Sequence, residues 1–156
     1  VTIWSIDKNE VEMLRTKREH VDKLPGVMIP ECIQITNNIS EGILGMNMIV
    51  MAVPSVFTRG TAKKMCPYVA EGQLLVNVSK GIEETTLMTM TDQIEEEIPQ
   101  AKVAVLSGPS HAEEVSRGLP TTVVAGARDR ETAEYIQSIF LCQNISIKIC
   151  QSDIQI

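Results

Sequence analysis

Aromatic residues are scarce in this chain: one Trp, two Tyr and two Phe make up 3% of 156 residues. That scarcity excludes the stacking platforms on which single-stranded nucleic acids are held. Positive charge is also in deficit, with fourteen Lys and Arg against twenty Asp and Glu, a net −6. A chain so acidic is expected neither to bind nucleic acid nor to lie on a membrane as a basic surface. No apolar run approaches the ~20 residues of a spanning helix, and no stretch reads as a signal peptide, so no membrane insertion and a cytoplasmic location are expected. The four cysteines, Cys32, Cys66, Cys142 and Cys150, contain no C-x-x-C and have no His spaced for zinc, so no metal site is expected. They read as buried apolar thiols, and a chain with an ordinary core needs no disulfide framework. The N-x-S triplets at Asn38 and Asn144 are chance matches in a protein that stays out of the secretory pathway. Internal repeats and low-complexity segments are lacking.

What is present is an ordinary globular composition, 44% hydrophobic and 22% charged, sufficient for a single domain or most of one. Eight Met point to adaptable core filling. The organising stretch is Val103 to Pro120. Val103 to Leu106 is a continuous apolar run, as expected of a strand covered on both faces, and Ser107-Gly108-Pro109 ends it. Ser110 with Glu113 three residues on forms a capping-box pattern that starts a helix. Such a turn gathers free backbone N–H groups at a strand's carboxyl end, a place that attracts anions. Any turn from strand to helix can also look like this.

The remaining elements alternate. A strand over Val1 to Ile6 precedes a short helix capped by Asp7, with Glu10 three residues on and Val11 and Leu14 as its apolar stripe. The polar run from Arg15 to Lys23 leads into a loop at Leu24-Pro25-Gly26. A short strand over Cys32 to Thr36, a brief helix capped by Ser40 and a strong strand over Met46 to Val53 follow, the last stopped by Pro54. Ser55 caps a helix reaching about Val69. Leu74 to Val78 is the next strand, before a helix with Leu87, Met90, Ile94 and Ile98 on one face. After the organising stretch, Thr121 to Ala125 forms a strand. Asp129 caps a helix carrying Ala133, Ile136, Ile139 and Phe140, and Ile145 to Cys150 is the last strand. This alternation specifies an α/β, doubly wound, mostly parallel sheet with helices on both faces.

In such sheets ligands gather at the carboxyl ends of strands. Four turns lie there: Ser5 and Ile6, Val53 to Ser55, Ser79 to Gly81, and Ser107 to Ser110. Lys80 stands out as a cation beside a flexible glycine, able to hold a phosphate or carbonyl oxygen as a point charge. Its other reading is a surface lysine after a strand. His111 reads as a base or as a first-turn residue, and His20 carries no signal. The Arg15, Lys17, Arg18 run reads as a solvated face unless it lies beside a cofactor's edge.

The segments W-S-I-D, L-P-G, V-M-A-V-P-S-V-F, V-S-K-G-I-E, A-V-L-S-G-P-S-H-A-E-E-V-S-R-G-L-P-T and the closing Q-S-D-I stand in one order and spacing. In this the chain resembles the nucleotide-binding domain of bacterial NAD(P)-dependent glycerol-3-phosphate dehydrogenases, over nearly its whole length. The resemblance implies a Rossmann-like domain in an enzyme that interconverts sn-glycerol 3-phosphate and dihydroxyacetone phosphate for phospholipid synthesis in the cytoplasm. It implies substrate contacts at Lys80, Gly108 and Ser110. It implies cofactor contacts at Ile6, Phe57, Lys80 and Ala112, with NAD or NADP as cofactor and a small phosphorylated molecule as substrate.

The departures from the family's pattern shape the expectation. No G-x-G-x-x-G occurs in the chain, and in the family that loop and its central strand precede the position of Val1. The helical domain that follows in the family carries the general acid and base lysine. Residues 1–156 are therefore expected to be a fragment of an NAD(P)-binding Rossmann domain truncated at both ends, with no catalytic residue of its own and no turnover alone. Unpaired strand edges would let copies pair, so a homo-oligomer is one expected arrangement. Ser5-Ile6-Asp7 offers no cation to a 2′-phosphate and tilts the cofactor toward NAD, unless Lys8 or the Arg15 to Arg18 run swings in. Two other readings stand beside this one: a related two-domain hydroxyacid dehydrogenase or ketoacid reductase, and a non-catalytic binding fragment.

Overall fold

A computed structural model describes residues 1–151. Ser152, Asp153 and Ile154 of the closing motif lie outside the described residues. The chain divides into two compact units, Val1–Met46 and a second from Asn47 onward.

The first unit holds β1 (Thr2–Trp4), α1 (Lys8–Lys17), β2 (Gln34–Thr36) and α2 (Ile39–Ile43). β1 and β2 pair in parallel, with Ile3 opposite Ile35. Asp7 caps α1 as expected, its carboxylate accepting the N–H of Asn9 at 2.8 Å. Val11 and Leu14 turn inward and pack on Ile35, with Ile3, Met13 and Ile29 around them. Asn38 rather than Ser40 caps α2, its Oδ1 accepting the Ser40 N–H at 3.2 Å. In the basic run Arg15 and Lys17 are exposed, as a solvated face requires, while Arg15 and Arg18 also bond backbone carbonyls. Arg15 Nε donates to the Ile35 carbonyl at 2.8 Å. Arg18 ends α1 in the left-handed conformation and donates to the carbonyls of Ile29, Pro30 and Ile33. The two guanidinium groups thereby bond backbone carbonyls, Arg15 in β2 and Arg18 in the segment before it.

The second unit holds β3 (Met48–Met51), α3 (Thr58–Met65), β4 (Leu74–Asn77), α4 (Met90–Glu97), β5 (Lys102–Ser107), α5 (Ala112–Ser116), β6 (Thr121–Ala127), α6 (Arg130–Phe140) and β7 (Ile145–Gln151). The strands form one sheet in the order β3-β4-β5-β6-β7, parallel except between β5 and β6. That antiparallel pair has a mechanical cause. A parallel return needs a crossover as long as the strand, and the five residues of α5 rise only about 7.5 Å where six strand residues span about 20 Å. The chain turns back instead. β1 and β3 each pair along one edge only among the described residues, so the α/β class is present as two sheets rather than one.

All four side chains of β4 are buried, as a strand covered on both faces requires. Leu74 and Val76 join Ala104, Val123, Ala125 and Ile147 beneath Ala133 and Ile136 of α6. α3 packs on α4, and α4 packs on β5. Thr89 caps α4 in a reciprocal box with Asp92, and Met90, Ile94 and Ile98 are buried as the periodicity predicts.

Several local expectations fail. Leu87 lies outside α4, exposed, and Ile139 of α6 is also exposed: a shared helical phase does not guarantee an apolar partner. The segment after Pro54 is not one helix capped by Ser55. Short 3-10 turns at Ser55–Phe57 and Cys66–Tyr68 flank α3, the second where Pro67 withholds the N–H that α-helical bonding needs. No cysteine is buried. Cys32 and Cys142 are exposed, Cys66 and Cys150 are half-buried, and none of the four forms a disulfide.

Candidate functional site

Three of the four strand-end turns belong to the second unit, and their side chains meet. β3, β4 and β5 are parallel neighbours, so their carboxyl ends open on the same side. Asn77, the last residue of β4, is 2% exposed. A buried amide needs partners, and Asn77 finds them in its own chain: Nδ2 donates to the Ser79 carbonyl at 2.9 Å and Oδ1 accepts the Ser79 N–H at 3.1 Å. The Ser79 hydroxyl in turn donates to the Val53 carbonyl at the end of β3. Ser79 is thus held between two strand ends.

Lys80 follows, exposed, with Nζ donating to the Ser110 hydroxyl at 3.4 Å. The structure therefore brings together two of the residues expected on one ligand. Gly81 adopts φ +129°, and a Cβ there would stand 3.3 Å from the Ser55 side chain. Gly108 adopts φ +154°, and a Cβ there would fall 2.9 Å from the Thr122 carbonyl oxygen and from Val123 Cα. Only glycine fits where the β5 turn presses on β6. Ser110 does not cap α5. Its hydroxyl donates to the Gly108 carbonyl at 3.3 Å, and His111 occupies the cap position without a side-chain bond. The expected capping box is absent because the Ser110 hydroxyl is turned toward the turn and Lys80 rather than toward the helix. A cleft of about 140 Å³ lies beside this junction, lined by Asn77, Ser79, Lys80, Gly81, Thr89 and Ser107 among others.

The other expected contacts are placed individually. Phe57 ends the 3-10 turn after Pro54 and is exposed, and Ala112 opens α5, also exposed. Neither lines the cleft. Ile6 belongs to the first unit and is an exposed apolar side chain just past β1. Beside it Ser5 donates to the Glu10 carboxylate, which also accepts from Lys23 Nζ at 2.7 Å and faces His20 Nε2 at 2.8 Å. Lys23 first, then Ser5, hold the pKa of the Glu10 carboxyl down to about 2, against the cost of that carboxyl's own burial. Lys23 and His20 are committed to this carboxylate.

Each unit by itself carries exposed side chains of the kinds a dinucleotide could meet: in the first the apolar Ile6, in the second the apolar Phe57 and the cation of Lys80. A glycine-rich pyrophosphate cradle is not among the 156 residues. Two features of the site were missed in sequence. Asn77 is a polar residue interrupting the run L-L-V-N-V, and that interruption was a usable signal. Arg59 and Glu83, ion-paired at 2.8 Å, are too far apart in the chain to have left one.

Comparison with known proteins gives the family and the fold. The profile of the NAD-dependent glycerol-3-phosphate dehydrogenase N-terminus matches residues 1–133. The NAD(P)+ glycerol-3-phosphate dehydrogenase of Agathobacter rectalis is 61% identical over 141 residues, 90% of this chain and 42% of the relative. Its counterpart in Fusobacterium nucleatum is 48% identical over 143 residues, covering 90% and 43%. The crystal structure of the Coxiella burnetii glycerol-3-phosphate dehydrogenase superposes with a TM-score of 0.90 at 22% identity, over 96% of this chain and 46% of that one, and shares the fold. The chain thus spans less than half the length of the curated relatives it matches. With a profile match running through both units, this chain belongs to the NAD-dependent glycerol-3-phosphate dehydrogenase family, in its N-terminal portion.

Proposed function

We propose that the chain is the nucleotide-binding part of a glycerol-3-phosphate dehydrogenase, a partial Rossmann domain in a longer polypeptide that interconverts dihydroxyacetone phosphate and sn-glycerol 3-phosphate. The nicotinamide of NAD or NADP, when bound, carries the hydride. The observation that supports this reading is the meeting of Lys80 with Ser110 from two adjacent strand ends, beside a turn that admits only Gly108. Lys80 is assigned to hold oxygen atoms of substrate and cofactor, Gly108 and Ser110 to border the substrate, and Ile6, Phe57 and Ala112 to border the cofactor. A cation and a neutral hydroxyl suit a phosphorylated ketone, since an ammonium pairs with anionic oxygen and the hydroxyl adds a hydrogen bond. Proton transfer to the substrate's oxygen is assigned to a residue outside this chain.

The cofactor assigned is NAD. Asp7 beside Ile6 repels a 2′-phosphate, and Arg15 and Arg18, which could have answered it, are bonded to backbone carbonyls. The product serves phospholipid synthesis in the cytoplasm, and the enzyme is a homo-oligomer in this reading. The decisive assay is reduction of dihydroxyacetone phosphate by NADH and by NADPH, run on the complete polypeptide and on these 156 residues. Turnover by the complete enzyme alone, faster with NADH, is expected. Inertness of the complete enzyme toward this substrate, with reduction of another ketone, would overturn the reading in favour of a hydroxyacid dehydrogenase.

A further inference from the structure

The geometry points to Arg59 and Glu83 as a positioning pair that fixes the segment carrying Lys80. This rests on the role proposed for Lys80 above. Lys80 sits on a four-carbon stem, and a charge on so flexible a side chain reaches a defined place only if its backbone is held. Upstream the hold is the Asn77 clasp on Ser79. Downstream, three residues after Lys80, it is Glu83. Arg59 Nε donates to Glu83 Oε1 at 2.8 Å and Nη2 to Oε2 at 2.9 Å, the two-pronged geometry in which a guanidinium fixes a carboxylate in orientation as well as distance. Thr86 also donates to Glu83.

The backbone of Glu83 is engaged too. Its N–H donates to the Met88 carbonyl at 2.9 Å and its carbonyl accepts the Leu87 N–H at 2.9 Å, while Ile82 bridges to Thr89. The third nitrogen of Arg59, Nη1, reaches Glu96 at 2.6 Å and Glu97 at 2.9 Å on α4. One guanidinium on α3 therefore anchors both the loop and the helix that follows it. If packing α3 on α4 were its only task, the Glu96 and Glu97 arm would suffice; the two-pronged arm goes to the loop. Between Asn77 and Glu83 the backbone also passes close to Ser55 at Gly81, so both ends of the Lys80 segment and its middle are constrained.

The test uses the complete enzyme. Glu83→Gln removes the charge and sets an amide donor against Arg59, and is expected to lower kcat/KM for dihydroxyacetone phosphate on the order of tenfold. In a Lys80→Ala background the same change is expected to cost less than about twofold, because a positioning effect vanishes with the residue positioned. Glu96→Gln, which leaves the two-pronged arm intact, is expected to stay within about twofold of wild type. Multiplying effects of Glu83→Gln and Lys80→Ala, or a Glu83→Gln enzyme as active as wild type, would overturn the proposal. Should Glu83→Gln fail to fold, Glu83→Asp, which keeps the charge but withdraws the carboxylate by one methylene, carries the same comparison. If the complete enzyme does not reduce dihydroxyacetone phosphate, the functional reading fails separately. The pair is then judged by amide exchange at Glu83 and Leu87: faster exchange in Glu83→Gln but not in Glu96→Gln supports it, and unchanged exchange overturns it.

Discussion

Lys80 Nζ and Ser110 Oγ stand 3.4 Å apart, one from the turn after β4 and the other from the turn after β5. Parallel pairing of these strands, Asn77 opposite Val105, sets the two turns side by side, so a register fixed by buried Val and Leu side chains determines where a surface ammonium meets a hydroxyl.

From this juxtaposition, Lys80→Ala in the complete enzyme should lower kcat/KM for dihydroxyacetone phosphate by on the order of 100-fold, the scale of losing one preorganised donor. Ser110→Ala should cost about tenfold or less, since a neutral hydrogen bond is the weaker of the two. Steady-state kinetics of the double variant should show less than the product of the single losses, as groups that touch share their contribution. Independent, multiplying losses would mean that the two side chains serve different ligand atoms without cooperating.

Gly108→Ala should destabilise the protein by about 1–3 kcal/mol, because the new Cβ meets backbone rather than a movable side-chain end. The urea midpoint of the complete enzyme is the measurement, and Gly60→Ala is the control. Gly60 lies in α3 with open space at its Cβ position, so alanine there should raise the midpoint, through a stability gain of up to about 1 kcal/mol. An unchanged midpoint for Gly108→Ala would show that β6 can yield at Val123.

How much of this was legible in the sequence depends on the range of the interaction. β4 and β5 were readable because strands buried on both faces are written as consecutive apolar residues, and Asp7 and Asp129 were readable as caps because the bond they make is local. Ser110 looked like a cap by the same local rule. Its hydroxyl went instead to the Gly108 carbonyl and to Lys80, thirty residues away in sequence, which a three-residue pattern cannot anticipate. The reversal at β6 was hidden because a strand's direction is decided by its connection, not by its own residues. Arg15 and Arg18 looked like free charge because their partners are carbonyls, which every residue has. The exposed cysteines illustrate the reverse: burial is a tendency of the residue type, and Cys32 and Cys142 lie in loop segments that leave the core.

Acid should weaken the first unit through Glu10. Its carboxyl drops from an ordinary 4.5 to about 2, because Lys23 foremost, then Ser5, favour the ionised form. A lowered value in the folded state means stability that is present above pH 4.5 and lost as pH falls toward 2. Glu10→Gln should therefore be less stable than wild type at pH 7, and the gap should close across that window. Amide exchange of α1 in the two proteins at several pH values reads the difference locally. A gap that persists undiminished below pH 3 would mean that the carboxylate acts by shape rather than charge.

Leu87 should be improvable. It adopts φ 59°, a left-handed conformation that costs a side chain with a Cβ roughly 1–2 kcal/mol, and it is 71% exposed, so little burial compensates. What holds it there is the loop: its N–H donates to the Glu83 carbonyl at 2.9 Å, closing the turn on the ion-paired residue. Leu87→Asn keeps that N–H and tolerates the conformation, and should raise stability by about 0.5–1 kcal/mol. Leu87→Gly relieves the same strain but frees the unfolded chain, so its gain should be smaller. Leu87→Ala keeps the Cβ and should gain nothing. The ranking Asn above Gly above Ala in urea midpoints tests strain as the cause, whereas a loss for all three would show that the Leu87 side chain is covered in the complete enzyme and stabilises it by burial.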